Sequence, residues 1–230
     1  MRVLRLHEWD LSPADARRLQ SALAPRVLTE RPKVEPRLVA GADISKPDTR
    51  GVAVAAVVVL SLPELSVVEV STVEQKAPFP YVPGLLSFRE APLVLAACQK
   101  LTNRPDLMLV DGHGVAHPRR FGLASHLGLC LDMSTIGCAK SVLCGEHSPA
   151  EETAGSYSYL TEGDEVIGAA LRTRKGVKPV YVSIGHRVDL EFALEWTGRC
   201  CTRYRVAEPT RLAHLAAAGR LGYPCERQGT

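Results

Sequence analysis

The run from Leu107 to Val110, followed at once by Asp111-Gly-His-Gly, limits the fold of this chain more than any other stretch. Four apolar residues without alternation suit a strand buried on both faces, which needs a sheet covered by helices on each side. The run ends on a carboxylate and two glycines, where the chain must turn. Ligands of open α/β sheets collect beyond the carboxyl ends of the strands, where Asp111 falls. An isolated Asp-Gly is an ordinary turn signal. Here the turn also carries His113, His117, Arg119 and Arg120, more titratable and cationic chemistry than a turn requires. Asp111 is therefore a candidate metal ligand.

A chain of 230 residues with 46% hydrophobic and 23% charged residues is suited to one large α/β domain. We assign 1–225 to one domain and 226–230 to a loose tail. The longest apolar run, Val52 to Leu62, is too short to span a bilayer. The N-terminal MRVLRLHEWD lacks the apolar core of a secretory signal. Seven cysteines, none in a Cys-x-x-Cys pair, fit reduced thiols, and a cytoplasmic monomer is expected. Cys138, Cys144 and His147 make only a weak zinc motif. A net charge of +3 permits a nucleic-acid partner without requiring one.

Ser12-Pro13 opens a helix in the manner of an N-cap followed by proline in the first turn. Strands are expected at Leu38–Ser45, Val52–Leu62 and Leu65–Val73, joined by short turns and hence antiparallel. Residues 77–87 form a proline-rich loop and Phe88–Leu101 a helix. Beyond the central strand follow a helix at Gly122–Leu131, a strand at Met133–Val142 and a polar loop at Glu146–Ser158. Strands at Glu165–Thr173 and Val180–Ile184 precede helices at Asp189–Arg199 and Thr210–Arg220. This order predicts an α/β fold: a mixed sheet of three antiparallel strands and then parallel ones, flanked by helices.

Two further carboxylates stand out. Asp43 lies in an apolar strand, where burial is costly without a partner unless the strand is an edge with a wet face. Glu90 opens a helix, where a negative charge is favourable in any case. A trio drawn from a strand, a helix start and a strand end can converge on a divalent cation, and oxygen ligands favour Mg²⁺ or Mn²⁺. Lys140, at a strand end, could neutralise phosphate charge or sit solvated. His214, on the last helix, could complete the metal shell, shuttle a proton or simply pack. His186 is a weaker candidate of the same kind.

Together, GADIS around Asp43, PYVPGLLSFRE (Pro80 to Glu90), VDGHGVAHPRRFGLASHLG (Val110 to Gly128), STIGCAKS, VSIGHR and PTRLAH resemble the endonuclease V family. The motifs run in family order over nearly the whole chain. The resemblance implies a ribonuclease H-like fold and Mg²⁺-dependent hydrolysis, with Mn²⁺ able to substitute. The cleaved bond is the second phosphodiester 3′ to a deaminated purine, typically deoxyinosine in DNA. It makes Asp43, Glu90, Asp111, Lys140 and His214 the catalytic set, with Asp43 and Asp111 on the metal. Tyr81, flanked by Pro80, Val82 and Pro83, becomes a wedge inserted into the duplex; rigid prolines suit that task. Gly84, Leu85, Gly112, His113, Gly114 and His117 are then expected around the flipped base, glycines allowing backbone amides close to it. His113 departs from the pattern of bacterial members of the family, where an amide side chain is more usual.

Three alternatives compete. A binding module that has lost catalysis would not need the carboxylates, Lys140 and His214. A junction or recombination nuclease on the same fold would share the acidic trio but not the PYVPG wedge. Inosine-containing RNA is the alternative substrate within the family.

Overall fold

Strands β1 (Leu38–Ile44), β2 (Val52–Ser61) and β3 (Ser66–Lys76) form the antiparallel meander expected from their short connections. The structure, a computed structural model, describes residues 1–222; the tail assigned to 226–230 lies outside the described residues. Helix α1 (Pro13–Leu23) precedes the meander and is capped by Ser12, whose Oγ accepts from the Asp15 amide at 3.1 Å. Helix α2 (Leu86–Gln99) leads to β4 (Leu107–Val110), and α3 (Leu123–Leu131) leads from β4 to β5 (Ser134–Ala139). Strands β6 (Tyr157–Glu162), β7 (Glu165–Leu171) and β8 (Val180–His186), then helices α4 (Leu190–Arg199) and α5 (Glu208–Ala217), follow among the described residues.

Among the described residues, eight strands form one sheet, ordered β3-β2-β1-β4-β5-β8-β7-β6. Among these strands the parallel pairings are β1 with β4 and β4 with β5. The expectation of parallel strands throughout the second half is therefore corrected: β8 is antiparallel to β5, and β7 and β6 continue antiparallel. The reason is connectivity, since no crossover helix separates β6, β7 and β8, and a parallel pair needs one. Strand β6 was not expected: only its first two residues fall in the predicted 146–158 loop, and it carries a single buried residue, Leu160, and so lacks an apolar signal. Helix α2 starts two residues earlier than expected, which moves Glu90 a full turn inside it. Strand β5 ends at Ala139 and leaves Lys140 just beyond.

The apolar run of β4 has the predicted cause. Met108 and Val110 face a core with Ala40, Ala42, Val57 and residues of α2 and α3. Leu107 and Leu109 face the opposite core with Val39, Val58, Phe192, Trp196 and Leu212. Each such side chain contributes about 1.5–3 kcal/mol through burial. Strand β1 lies between β2 and β4, so Asp43 is on an interior strand and not on a wet edge. Helix α5 crosses β1 at Gly41, where an added Cβ would lie 2.0 Å from the Pro209 backbone. Only glycine allows that approach. Among the described residues, no helix is long and apolar enough to cross a membrane.

Candidate active site

Parallel pairing of β1 with β4 matches Ala42 to Val110, so the next residues, Asp43 and Asp111, leave adjacent strands side by side. Alternation along β1 puts Asp43 on the same side as Gly41, the side on which α5 sits. His214 of α5 accordingly donates from Nδ1 to Asp43 Oδ2 at 2.8 Å. That bond leaves Nε2 as the open nitrogen of a ring 62% exposed. Lys140, just past β5, pairs with Asp111, and its carbonyl is held by Arg205 at 2.7 Å. Asp43 and Asp111 side chains are only 12% and 17% exposed.

Glu90 reaches the same centre from α2. Burial first, then the charges of Asp43 and Asp111, push its carboxyl up to about 8, with Arg89 opposing. Burial and Asp111 likewise raise Asp43, while His214 and Lys140 counter them. The structure therefore gathers Asp43, Glu90, Asp111, Lys140 and His214, and it places three mutually repelling carboxyls there. Among the described residues, no three His, Cys, Asp or Glu side chains stand close enough to cage an ion as they are. The donor chemistry still fits a hard divalent cation: all-oxygen ligands, excess negative charge, and one carboxyl relieved only by protonation.

Beside this centre lies a cavity of about 270 Å³, walled by Tyr81, Val82, Pro83, Gly84, Gly112, His113, His117 and the 141–143 loop. An open groove of about 720 Å³, lined by Lys46, Arg89 and Glu90, adjoins it. Tyr81 and Leu86 border both spaces. Tyr81 is 69% exposed and precedes a turn closed by the Leu85 amide on the Val82 carbonyl at 2.9 Å. Pro83 and Gly84, the latter at φ +75°, give that turn type II character.

Not every expected base-contacting residue faces the cavity. Leu85 is fully buried with Phe79 and Phe88 and anchors the loop from below. Gly114 packs against β8, its amide bound to Ser183 Oγ at 2.9 Å, so it offers the cavity no donor. Pro80 is exposed outside the lining. His117 borders the cavity, but both ring nitrogens are engaged: Nδ1 accepts from the Arg119 amide at 3.1 Å and Nε2 donates to the Gly84 carbonyl at 3.0 Å. Burial, then Arg119, lowers its pKa to about 4, keeping the ring neutral. His113 is also lowered by burial, against the pull of the Ser141 backbone and Asp111.

The weaker candidates are structural. His186 is buried, and its Nδ1 accepts from the Leu28 amide at 3.1 Å. Cys138 is buried 3.4 Å from Thr197 Oγ1, and His147 meets the Tyr181 hydroxyl at 3.3 Å. Sequence reasoning missed Gln20, Val142 and Leu143, which belong to no motif, and gave no role to Ser141, the last residue of STIGCAKS.

The family model for endonuclease V matches residues 21–215. The chain belongs to the endonuclease V family. The Endonuclease V of Dehalococcoides mccartyi is 50% identical over 218 residues, covering 95% of this chain and 98% of that protein. The crystal structure of the Streptomyces avermitilis family member gives a TM-score of 0.88 at 44% identity, covering 96% and 98% of the two chains. Ciona intestinalis Endonuclease V, solved with a 24mer DNA containing an inosine followed by a ribo-adenosine, gives 0.79 at 29% identity, covering 90% and 97%. The fold is ribonuclease H-like, and the chain is an endonuclease of this family.

Proposed function

We propose that this endonuclease is a single-domain, metal-dependent repair enzyme for deaminated purines, deoxyinosine in DNA foremost. It hydrolyses the second phosphodiester bond 3′ to the lesion and leaves a 3′-hydroxyl and a 5′-phosphate. The observation that carries this reading is the division of the site. A base-sized cavity and the groove that reaches the acidic centre at Glu90 are separate spaces that share Tyr81 and Leu86, which suits a base read in one place and a bond cut at a neighbouring nucleotide. The Ciona relative was solved on inosine-containing DNA, in keeping with this substrate.

Asp43 and Asp111 would hold Mg²⁺, or Mn²⁺ in its place, with Glu90 beside them. When bound, the cation supplies charge neutralisation and makes water a better nucleophile. Water adds to phosphorus, the bond to the 3′ oxygen breaks, and that oxygen ends as a hydroxyl. His214, fixed by Asp43 through Nδ1, has Nε2 free to accept or return a proton. Lys140 remains a fixed positive charge beside Asp111 and the scissile phosphate. Tyr81 fills the gap left in the stack when the base turns out, while Val82, Pro83, Gly84, Gly112 and His113 border the base.

Inosine-containing RNA is the second reading, because the DNA bound by the Ciona relative carries a ribo-adenosine after the inosine. Matched inosine-containing DNA and RNA strands, incubated with Mg²⁺, separate the two. Preferential DNA cleavage one nucleotide beyond the inosine is expected. Cleavage of RNA alone would reverse the substrate assignment, and cleavage of neither would overturn the lesion reading.

A further inference from the structure

The carbonyl of Gly84 is the acceptor for three separate side chains. Gln20 Nε2 reaches it from α1 at 3.1 Å, Arg119 Nη2 at 2.7 Å and His117 Nε2 at 3.0 Å. The donors are themselves tied together. Arg119 Nε donates to Gln20 Oε1 at 2.6 Å, and Gln20 Nε2 also donates to the Phe121 carbonyl at 3.0 Å. Gln20 is 1% exposed. A buried glutamine in mid-helix is costly unless its amide is satisfied, and here every bond it makes runs to this one loop system. Gly84 is also the left-handed position of the turn that follows Tyr81, and a Cβ there would meet Arg119 at 2.8 Å. The clamp therefore grips the backbone three residues from an aromatic ring that has little packing of its own.

We propose that Gln20, with Arg119 and His117, is a positioning residue that holds Tyr81 at the angle needed to enter a duplex, and so sets discrimination between lesion and intact DNA. The proposal rests on the wedge role assigned above to Tyr81. Gln20 borders the cavity but is 1% exposed, with its amide nitrogen committed to Gly84 and Phe121 and its oxygen to Arg119, so coupling to Tyr81 is what separates a role through the loop from direct contact with the base. Rigidity matters because an ordered wedge loses less conformational entropy when it inserts. A loosened one can still let a flexible single strand reach the cavity.

The test is a double-mutant cycle with Gln20→Met and Tyr81→Ala, read as cleavage of inosine-containing duplex relative to the same strand unpaired. Thermal melts verify folding. Gln20→Met is expected to lower the duplex-to-single-strand ratio about tenfold, as for loss of a hydrogen bond in a charge-assisted network. Single-strand cleavage should stay within about twofold of wild type, and Gln20→Met should cost nothing more once Tyr81 is alanine. Additive losses in the double variant, or equal losses on both substrates, would overturn the clamp. So would a wild-type ratio in Gln20→Met when Tyr81→Ala has lowered it. A ratio unmoved by Tyr81→Ala itself would instead overturn the wedge reading beneath it. If Gln20→Met does not fold, Gln20→Glu serves in the same cycle, because it keeps the acceptor for Arg119 and removes the donor to Gly84.

Discussion

Glu90→Gln replaces an ionisable carboxyl by a neutral group of the same shape, in a position where the charge is opposed by burial, Asp43 and Asp111. The folded-state pKa of about 8 lies above the ordinary 4.5, so the folded protein binds a proton more tightly than the unfolded chain does. Glu90 therefore imposes no penalty below pH 4.5. It destabilises increasingly as the pH rises toward 8, and the effect levels off above that. The shift corresponds to roughly 4–5 kcal/mol at alkaline pH and to about 3 kcal/mol at pH 7, before relaxation of the surroundings reduces it. The assay is urea unfolding of chelator-treated wild type and Glu90→Gln at pH 4.5, 7 and 8.5. The variant should match wild type in acid and be the more stable protein at the two higher values, while losing most nuclease activity. Added Mg²⁺ should narrow the gap by stabilising wild type more, since a ligand of the native state adds its binding free energy to stability. A stability difference that is the same at every pH, or a variant less stable at pH 8.5, would refute the electrostatic account of the trio.

Asp111→Asn should fold normally yet lose about 10²- to 10³-fold in turnover, the scale of removing one electrostatic element of a site. It should bind inosine-containing DNA at least as tightly as wild type by gel shift, because a negative charge near the phosphate is gone; near-normal cleavage would exclude Asp111 from the metal site. His214→Ala should lower the rate by about 10²- to 10⁴-fold if the ring transfers a proton, with a change in the shape of the pH–rate profile; an unchanged rate and profile would reduce His214 to packing. Gly41→Ala should destabilise the protein by about 1–3 kcal/mol or more through overpacking against Pro209. The same change moves α5, so cleavage should fall with stability; a wild-type melting curve would show that the contact yields freely.

Much of the acidic centre was legible because its residues sit at boundaries that local rules mark. Val110-Asp111 is the end of a doubly buried strand, and Lys140 follows another strand end. The cap at Ser12 and the Pro83-Gly84 turn obey backbone sterics that need no distant partner. Strand β6 was missed because a sheet-edge strand with a single buried side chain has no apolar alternation to read. Leu85 and Gly114 lie within the right motifs, but one turns into the core and the other packs on β8. Motif membership does not say which way a side chain points.

The amino-acid sequence by itself determined the short-range features: the capped start of α1, the turn after Tyr81, the doubly buried strand and the residue types able to hold a cation. Tertiary structure alone decided that Ala42 pairs with Val110, which sets Asp43 beside Asp111. It also decided that α5 closes on Gly41, bringing His214 to Asp43, and that Gln20 reaches Gly84 from a helix 64 residues away in the chain. The physical reason is range. Dihedral sterics and hydrophobic period act over a few residues, whereas register and docking depend on contacts between distant segments. Those contacts form only where burial and hydrogen bonding together offset the entropy of ordering the chain.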